Sequence, residues 1–336
     1  MKRILLIQTG GTIAMKSGQQ DYAQLEPGKW SETIQREIPE LSEIAELQME
    51  QLFFVDSSDI GASHWVRLIE YIEEQTPNYD GFVILHGTDT MAYTASALSF
   101  GLQNLDKPVI LTGSQVPMSN LRSDARRNLV NAIEMATFPL QEVAICFNDY
   151  VYRGNRATKM SIGDFDAFAS PNFPPLAEIG LNIEFNIRKN KPDDPLRVFK
   201  SFSDRFFMLK LFPNLPARLL DQLHLSELDA IIIEAFGSGN FPIHGERSLL
   251  PFLLKCFERK LMVVITSQAP YDAVNLIKYE SGRKARQLGA LGAGDMTSEA
   301  TLTKLMHLWG TYDNPQQIKA LFTSDIAGEL SVPGSG

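Results

Sequence analysis

Lys2-Arg3-Ile4-Leu5-Leu6-Ile7, running into Gln8-Thr9-Gly10-Gly11-Thr12-Ile13-Ala14-Met15, is the stretch from which the architecture follows. The apolar run reads as a buried parallel strand. Two glycines at its end let the backbone turn tightly and approach a ligand or a neighbouring chain segment. Thr12 then sits at the carboxyl end of the first strand, the edge at which open α/β sheets bind ligands. Its hydroxyl serves either its own turn or a ligand, and these residues alone leave both readings open. A phosphate loop fits poorly. The spacing from Gly10 puts Met15 before Lys16-Ser17, where a nucleotide loop needs glycine.

The same strand-then-polar-turn pattern recurs outward from this point. Gly81-Phe82-Val83-Ile84-Leu85 ends in His86-Gly87-Thr88-Asp89-Thr90. Lys107-Pro108-Val109-Ile110-Leu111 ends in Thr112-Gly113-Ser114-Gln115, and Leu47 to Val55 ends in Asp56-Ser57-Ser58-Asp59. A further strand is expected over 142–147. Helices are expected over 30–41, from Ser63 as the capping residue, over 92–102 and over 124–136. Lys16 to Lys29 lacks either period and reads as a loop able to close, with Tyr22 within it. Tyr152-Arg153-Gly154-Asn155-Arg156-Ala157-Thr158-Lys159 reads as a basic patch, and 161–175 as a packed irregular segment.

Around Arg188 to Arg197 the composition turns charged and proline-bearing. This predicts a larger N-terminal α/β domain over 1–188, a linker over 189–204 and a smaller C-terminal α/β domain over 205–336. Strands are expected there at 206–211, 228–235 and 261–266, and helices near 217–223, 247–259, 297–309 and 315–321. Alternation of strand and helix means a parallel-type sheet flanked by helices. Gly237-Ser238-Gly239-Asn240 is a glycine turn at a strand end. The run Gly289 to Asp295 reads as a helix-entry loop, because no clear strand precedes it.

The 336 residues suffice for two ordinary domains. A net charge of −9 argues against nucleic acid or an anionic membrane as partner. Two cysteines, Cys146 and Cys256, lie in apolar runs and read as buried free thiols. No secretory leader or membrane-length apolar stretch is visible, so a cytoplasmic location is expected. No metal cluster or cofactor loop is signalled.

Four strand ends therefore bring Thr12, Asp56 to Asp59, Thr88-Asp89 and Thr112 to Gln115 to one edge, with Lys159 as a candidate base. A threonine hydroxyl needs a neighbour to take its proton before it attacks. The absence of Gly-x-Ser-x-Gly lowers the α/β-hydrolase reading.

Thr9-Gly10-Gly11-Thr12-Ile13 and His86-Gly87-Thr88-Asp89-Thr90 resemble the two signature motifs of bacterial-type L-asparaginases. The stretch from Gly81 to Ala95 is similar to the cytoplasmic type I enzymes. So are Tyr152 to Arg156, Phe165 to Asn172 and Ala293 to Thr297. The resemblance implies hydrolysis of L-asparagine to L-aspartate and ammonia through an acyl-enzyme, without a cofactor. It implies Thr12, Tyr22, Thr88, Asp89 and Lys159 as catalytic residues, and leaves open which threonine acts in which half-reaction. It implies Asp89 for the substrate's α-ammonium and Ser57 and Ser58 for its α-carboxylate. Asp56 lies in the same run, and Ser114 would contact the side-chain amide through its backbone. Asn240 matches an asparagine lent to a neighbouring subunit, implying a homodimer or homotetramer. Type I enzymes bind a second, activating asparagine. At that site Thr158 and Gln115 match the pattern, but Glu234 replaces an arginine and Ala269 a cysteine. Hyperbolic kinetics are expected for this reason. An amidotransferase subunit, which carries an extra N-terminal domain, and a binding protein that has lost its chemistry are the competing readings.

Overall fold

A computed structural model describes residues 1–11, 13, 15–17, 22–24, 29–186 and 194–331. The chain is α/β and divides into two compact units, Met1–Lys200 and Ser201–Gly336.

The first unit is built on an eight-stranded sheet. Its strands are β1 (Arg3–Gly10), β2 (Glu46–Val55), β3 (Gly81–Leu85), β4 (Val109–Thr112), β5 (Val143–Phe147), β6 (Tyr150–Arg153), β7 (Ala177–Ile179) and β8 (Ile183–Phe185). Their spatial order is β8-β7-β6-β5-β4-β3-β1-β2. The five strands from β5 to β2 are mutually parallel, and β6, β7 and β8 extend the sheet antiparallel. The apolar runs are explained by burial on both faces: every residue of β3, β4 and β5 is buried. Ile4, Leu6, Val83, Leu85 and Ile110 pack with helices α1 (Lys29–Glu37), α2 (Leu41–Ile44) and α5 (Ala125–Thr137). The alternate residues Leu5, Ile7, Phe82 and Ile84 are fully buried on the opposite face. Helix α4 (Met91–Gly101) lies against β4 and β5 and packs with α3 (Ala62–Gln75). It is apolar nearly all round, as a helix enclosed by its neighbours must be.

The second unit carries a parallel sheet in the order β9 (Phe206–Lys210), β10 (Ala230–Ala235), β11 (Met262–Ser267), β12 (Leu291–Gly292). Period-two alternation sorts β10 between two cores. Ile231 and Ile233 pack with Phe252, Leu253, Cys256 and Ala285 of α6 (Leu250–Glu258) and α7 (Glu280–Gln287). Ala230 and Ile232 pack with Leu305, Leu308, Ile318 and Phe322 of α8 (Ser298–Thr311) and α9 (Pro315–Phe322). Thr297 caps α8 by accepting from the Ala300 amide at 3.1 Å. Asn314 caps α9, with Pro315 in the first turn. Within this unit Lys304 and Glu329 form an ion pair whose side chains are 0% exposed. Lys304 Nζ also donates to the carbonyls of Phe322 (2.9 Å) and Ser324 (2.6 Å). Glu329 accepts from the amides of Ile326 and Ala327. Burial pushes the lysine down and the glutamate up from their ordinary values.

Several expectations are corrected. The stretch read as a loop contains two short strands, Met15–Ser17 and Tyr22–Gln24, paired antiparallel; residues 18–21 and 25–28 lie outside the described residues. Ser63 is inside α3, whose capping position is Gly61. Arg153 and Arg156 are no solvated patch: they are 7% and 2% exposed. Arg153 pairs with buried Glu142 at 2.5 Å, and both guanidinium groups lie over the Phe173 ring. The glycine run after residue 289 does hold a short strand, β12, and α7 precedes it. Arg197–Val198, in the stretch read as linker, pairs antiparallel with Leu102–Gln103. Cys146 and Cys256 are buried and free.

Candidate active site

The carboxyl ends of β1, β2, β3 and β4 are drawn together by backbone contacts. Gly10 has φ +136°, and a Cβ there would lie 2.1 Å from the Val55 carbonyl oxygen at the end of β2. Gly11 has φ +89°, and a Cβ there would lie 2.7 Å from the Gly87 amide nitrogen beyond β3. Only glycine accommodates both the conformation and the approach. The glycine pair thus presses the first signature motif against the second.

His86 closes β3. It is fully buried, with Nδ1 2.7 Å from the Gly87 carbonyl and Nε2 2.8 Å from Thr94 Oγ1. A carbonyl only accepts, so Nδ1 carries the proton and Nε2 accepts from Thr94. Thr94 Oγ1 in turn accepts from Trp65 Nε1 at 3.1 Å. Burial lowers the His86 pKa to about 4, and the bond to Gly87 opposes this only in part. The neutral imidazole therefore anchors the backbone that leads into Thr88 and Asp89.

Lys159 lies on the short strand Thr158–Lys159, which pairs with Phe168–Ala169. Its Nζ donates to Thr88 Oγ1 at 2.7 Å and to Asp89 Oδ1 at 2.6 Å. The Lys159 side chain is 15% exposed and Asp89 66% exposed. The ammonium is thus largely withdrawn from water, while the carboxylate stays open to an arriving cation. Thr88 Oγ1 donates to Gln115 Oε1 at 3.2 Å.

Asp56 caps the short helix Ser57–Asp59. Its carboxylate accepts from the Ser58 hydroxyl (2.7 Å) and amide (2.8 Å), which hold it below the usual carboxylate range. Both Ser58 donors therefore already point at Asp56. Ser57 is buried, and its carbonyl accepts from Thr90 Oγ1 at 2.6 Å, joining the β2 end to the β3 end. Thr90 stands at the capping position of α4 without capping it through its side chain. Ser114 is 2% exposed, beyond β4.

Of the sequence-predicted residues, Asp56, Ser57, Ser58, Thr88, Asp89, Ser114 and Lys159 converge on this edge. Thr12 lies outside the described residues, and Tyr22 is placed by its backbone in the strand Tyr22–Gln24. Asn240 belongs to the second unit. Its backbone closes the turn onto Phe236, and its Oδ1 accepts from Ser281 Oγ at 2.9 Å. The left-handed residues of that turn are Gly237 and Gly239, not Asn240. Glu234, also there, accepts from Ser298 Oγ at 2.7 Å and lies 3.8 Å from Lys210 Nζ.

Sequence reasoning missed Asp124. Placed at the start of α5, it reads as a helix cap. Instead its carboxylate accepts from the amides of Gln115 and Val116 and from Asn128 Nδ2, all within 3.0–3.1 Å. Backbone amides eight and nine residues back along the chain leave no signal in the helix-start pattern.

The α/β fold thus holds a threonine, a carboxylate and a lysine in contact at a parallel-sheet edge. The family model Asparaginase, N-terminal matches residues 3–191, and Glutaminase/Asparaginase C-terminal domain matches 205–322. The chain is 39% identical to L-asparaginase 1 of Escherichia coli K12 over 342 residues, 98% of each chain. The solved L-asparaginase I of Vibrio cholerae superposes with a TM-score of 0.90 at 37% identity, covering 98% of this chain and 99% of that one. The thermostable L-asparaginase of Thermococcus kodakarensis superposes with a TM-score of 0.88 at 34% identity, with the same coverage. The chain belongs to the asparaginase family, and is a hydrolase of that type.

Proposed function

We propose that the chain hydrolyses L-asparagine to L-aspartate and ammonia through two acyl-transfer steps. Thr12 Oγ attacks the side-chain amide carbon, the C–N bond breaks, and ammonia leaves with a relayed proton. Water then cleaves the resulting ester and restores the hydroxyl. Lys159 and Asp89 tune Thr88 and move the protons, and Tyr22 orients Thr12. The observation that carries this reading is the three-way contact of Lys159 Nζ with Thr88 Oγ1 and Asp89 Oδ1 at the strand edge. A threonine whose oxygen accepts from a lysine has a proton donor at hand that an isolated hydroxyl lacks.

Asp89, largely exposed, takes the substrate's α-ammonium, and Ser57 and Ser58 its α-carboxylate, with Asp56 in the same run. The Ser114 backbone takes the side-chain amide, and Asn240 serves a neighbouring subunit in a cytoplasmic homodimer or homotetramer. Weak turnover of glutamine fits the same pocket, since one methylene discriminates by only about 1–3 kcal/mol.

The test is ammonia release from L-asparagine, L-glutamine and D-asparagine by wild type, Thr12→Ala and Thr88→Ala. Release from L-asparagine should fall by on the order of 10³-fold or more in both variants. Folded wild type that releases nothing would support a binding protein instead, and activity surviving Thr12→Ala would reassign the nucleophile.

A further inference from the structure

We propose that Gln115 is a positioning residue of the Thr88 hydroxyl, fixing where its proton points. This rests on the reading of Thr88 and Lys159 as reacting-site groups. Gln115 joins Thr88 to the loop after Lys159. Its Nε2 lies 3.3 Å from the Ser161 carbonyl and 3.2 Å from the Asp164 carbonyl. Both partners are carbonyl oxygens, which only accept. The amide orientation is therefore determined: the NH₂ faces the two carbonyls, and Oε1 faces Thr88.

A chain of forced roles follows. Oε1 has no proton, so Thr88 donates to it at 3.2 Å. A lysine ammonium has no lone pair, so Lys159 donates to the Thr88 oxygen. The Thr88 proton is thus held away from Lys159, and the oxygen lone pair toward it. Losing Gln115 would remove the acceptor that holds that proton, with the bond from Lys159 remaining. The backbone of Gln115 is itself clamped, because its amide donates to Asp124, which also accepts from Val116 and Asn128. Asn128 Nδ2 further holds the Gly113 carbonyl at 2.9 Å. The clamp fixes the loop beyond β4, so the Gln115 side chain reaches Thr88 from an anchored base. All of these residues lie in the first unit.

The substitution Gln115→Met keeps length and volume and removes the acceptor and both donors. Steady-state asparagine hydrolysis by wild type, Gln115→Met, Thr88→Ala and the double variant closes a double-mutant cycle. Gln115→Met should lower kcat by roughly 3–10-fold, the worth of one neutral hydrogen bond, with KM within about twofold. In the Thr88→Ala background the same change should lower kcat no further. A residue that merely supports the loop would cost the same factor in both backgrounds, and that result overturns the proposal. So does unchanged kcat in Gln115→Met while Thr88→Ala is impaired. If Thr88→Ala retains full activity, the reading of the catalytic group fails instead. Circular dichroism and Tm of each variant separate misfolding from these outcomes, and Gln115→Glu provides a second probe. Its carboxylate cannot donate to the Ser161 and Asp164 carbonyls, so kcat should fall there as well; wild-type kcat in Gln115→Glu counts against the proposal.

Discussion

Acidifying the protein should destabilise its first unit through one buried ring. His86 is fully enclosed and is held neutral, its pKa lowered to about 4 by burial. The unfolded chain returns it to about 6.5. A base whose folded pKa lies below its unfolded one binds more protons when unfolded. Its contribution is therefore complete above pH 6.5 and lost as the pH falls toward 4. The gap of about 2.5 units is worth about 3 kcal/mol in full, of which about 2 kcal/mol disappears between pH 7 and pH 5. Protonation would also reverse the Thr94 bond, because Nε2 could then only donate and the Thr94 proton would have to turn away. The assay is urea unfolding at pH 7 and pH 5, followed by circular dichroism at fixed protein concentration, for wild type and His86→Gln. Other groups titrate in both proteins and cancel in the difference. At a slope of roughly 3 kcal/mol per molar, the wild-type midpoint should drop about 0.7 M further than that of the variant. Equal drops would refute the reasoning, since they would mean that His86 gains its proton as readily folded as unfolded.

Two more outcomes follow. Gly11→Ala should cost more than about 1–3 kcal/mol of strain or displace the Gly87–Asp89 backbone, because of the φ of +89° and the 2.7 Å approach; wild-type kcat/KM and Tm would contradict this. Initial rates against asparagine concentration should be hyperbolic, since Glu234, engaged with Ser298 and Lys210, offers a carboxylate no favourable partner; a sigmoidal curve from purified enzyme would contradict that.

What could be read in the sequence was what local pattern encodes. Buried parallel strands are apolar runs, so β1, β3, β4 and β5 stood out, and polar residues at their carboxyl ends located the edge. Side-chain partners distant in sequence left no such trace. Arg153 and Arg156 looked solvated because their partners, Glu142 and Phe173, lie in other segments. Helix α7 was missed because Glu280 to Gln287 is mostly charged and small, and buries only Ser281, Gly282 and Ala285. Gln115 acts through carbonyls of another turn, and Asp124 through amides at the far end of its own connection. A threonine and an aspartate at a strand end announced chemistry; the residues that aim them did not.

The pair of Lys304 and Glu329 makes the second unit sensitive to the integrity of its own tail. Trimming that stops beyond Glu329 leaves the pair untouched. Trimming that passes it removes the carboxylate and leaves a fully buried ammonium without its counter-charge, held by the Phe322 and Ser324 carbonyls. Leaving one member of a buried pair alone costs about 3–5 kcal/mol, a large share of the stability of an ordinary domain. Exopeptidase damage should therefore be graded not by how many residues are lost but by whether one carboxylate survives, separating chains that persist from chains that unfold and are cleared.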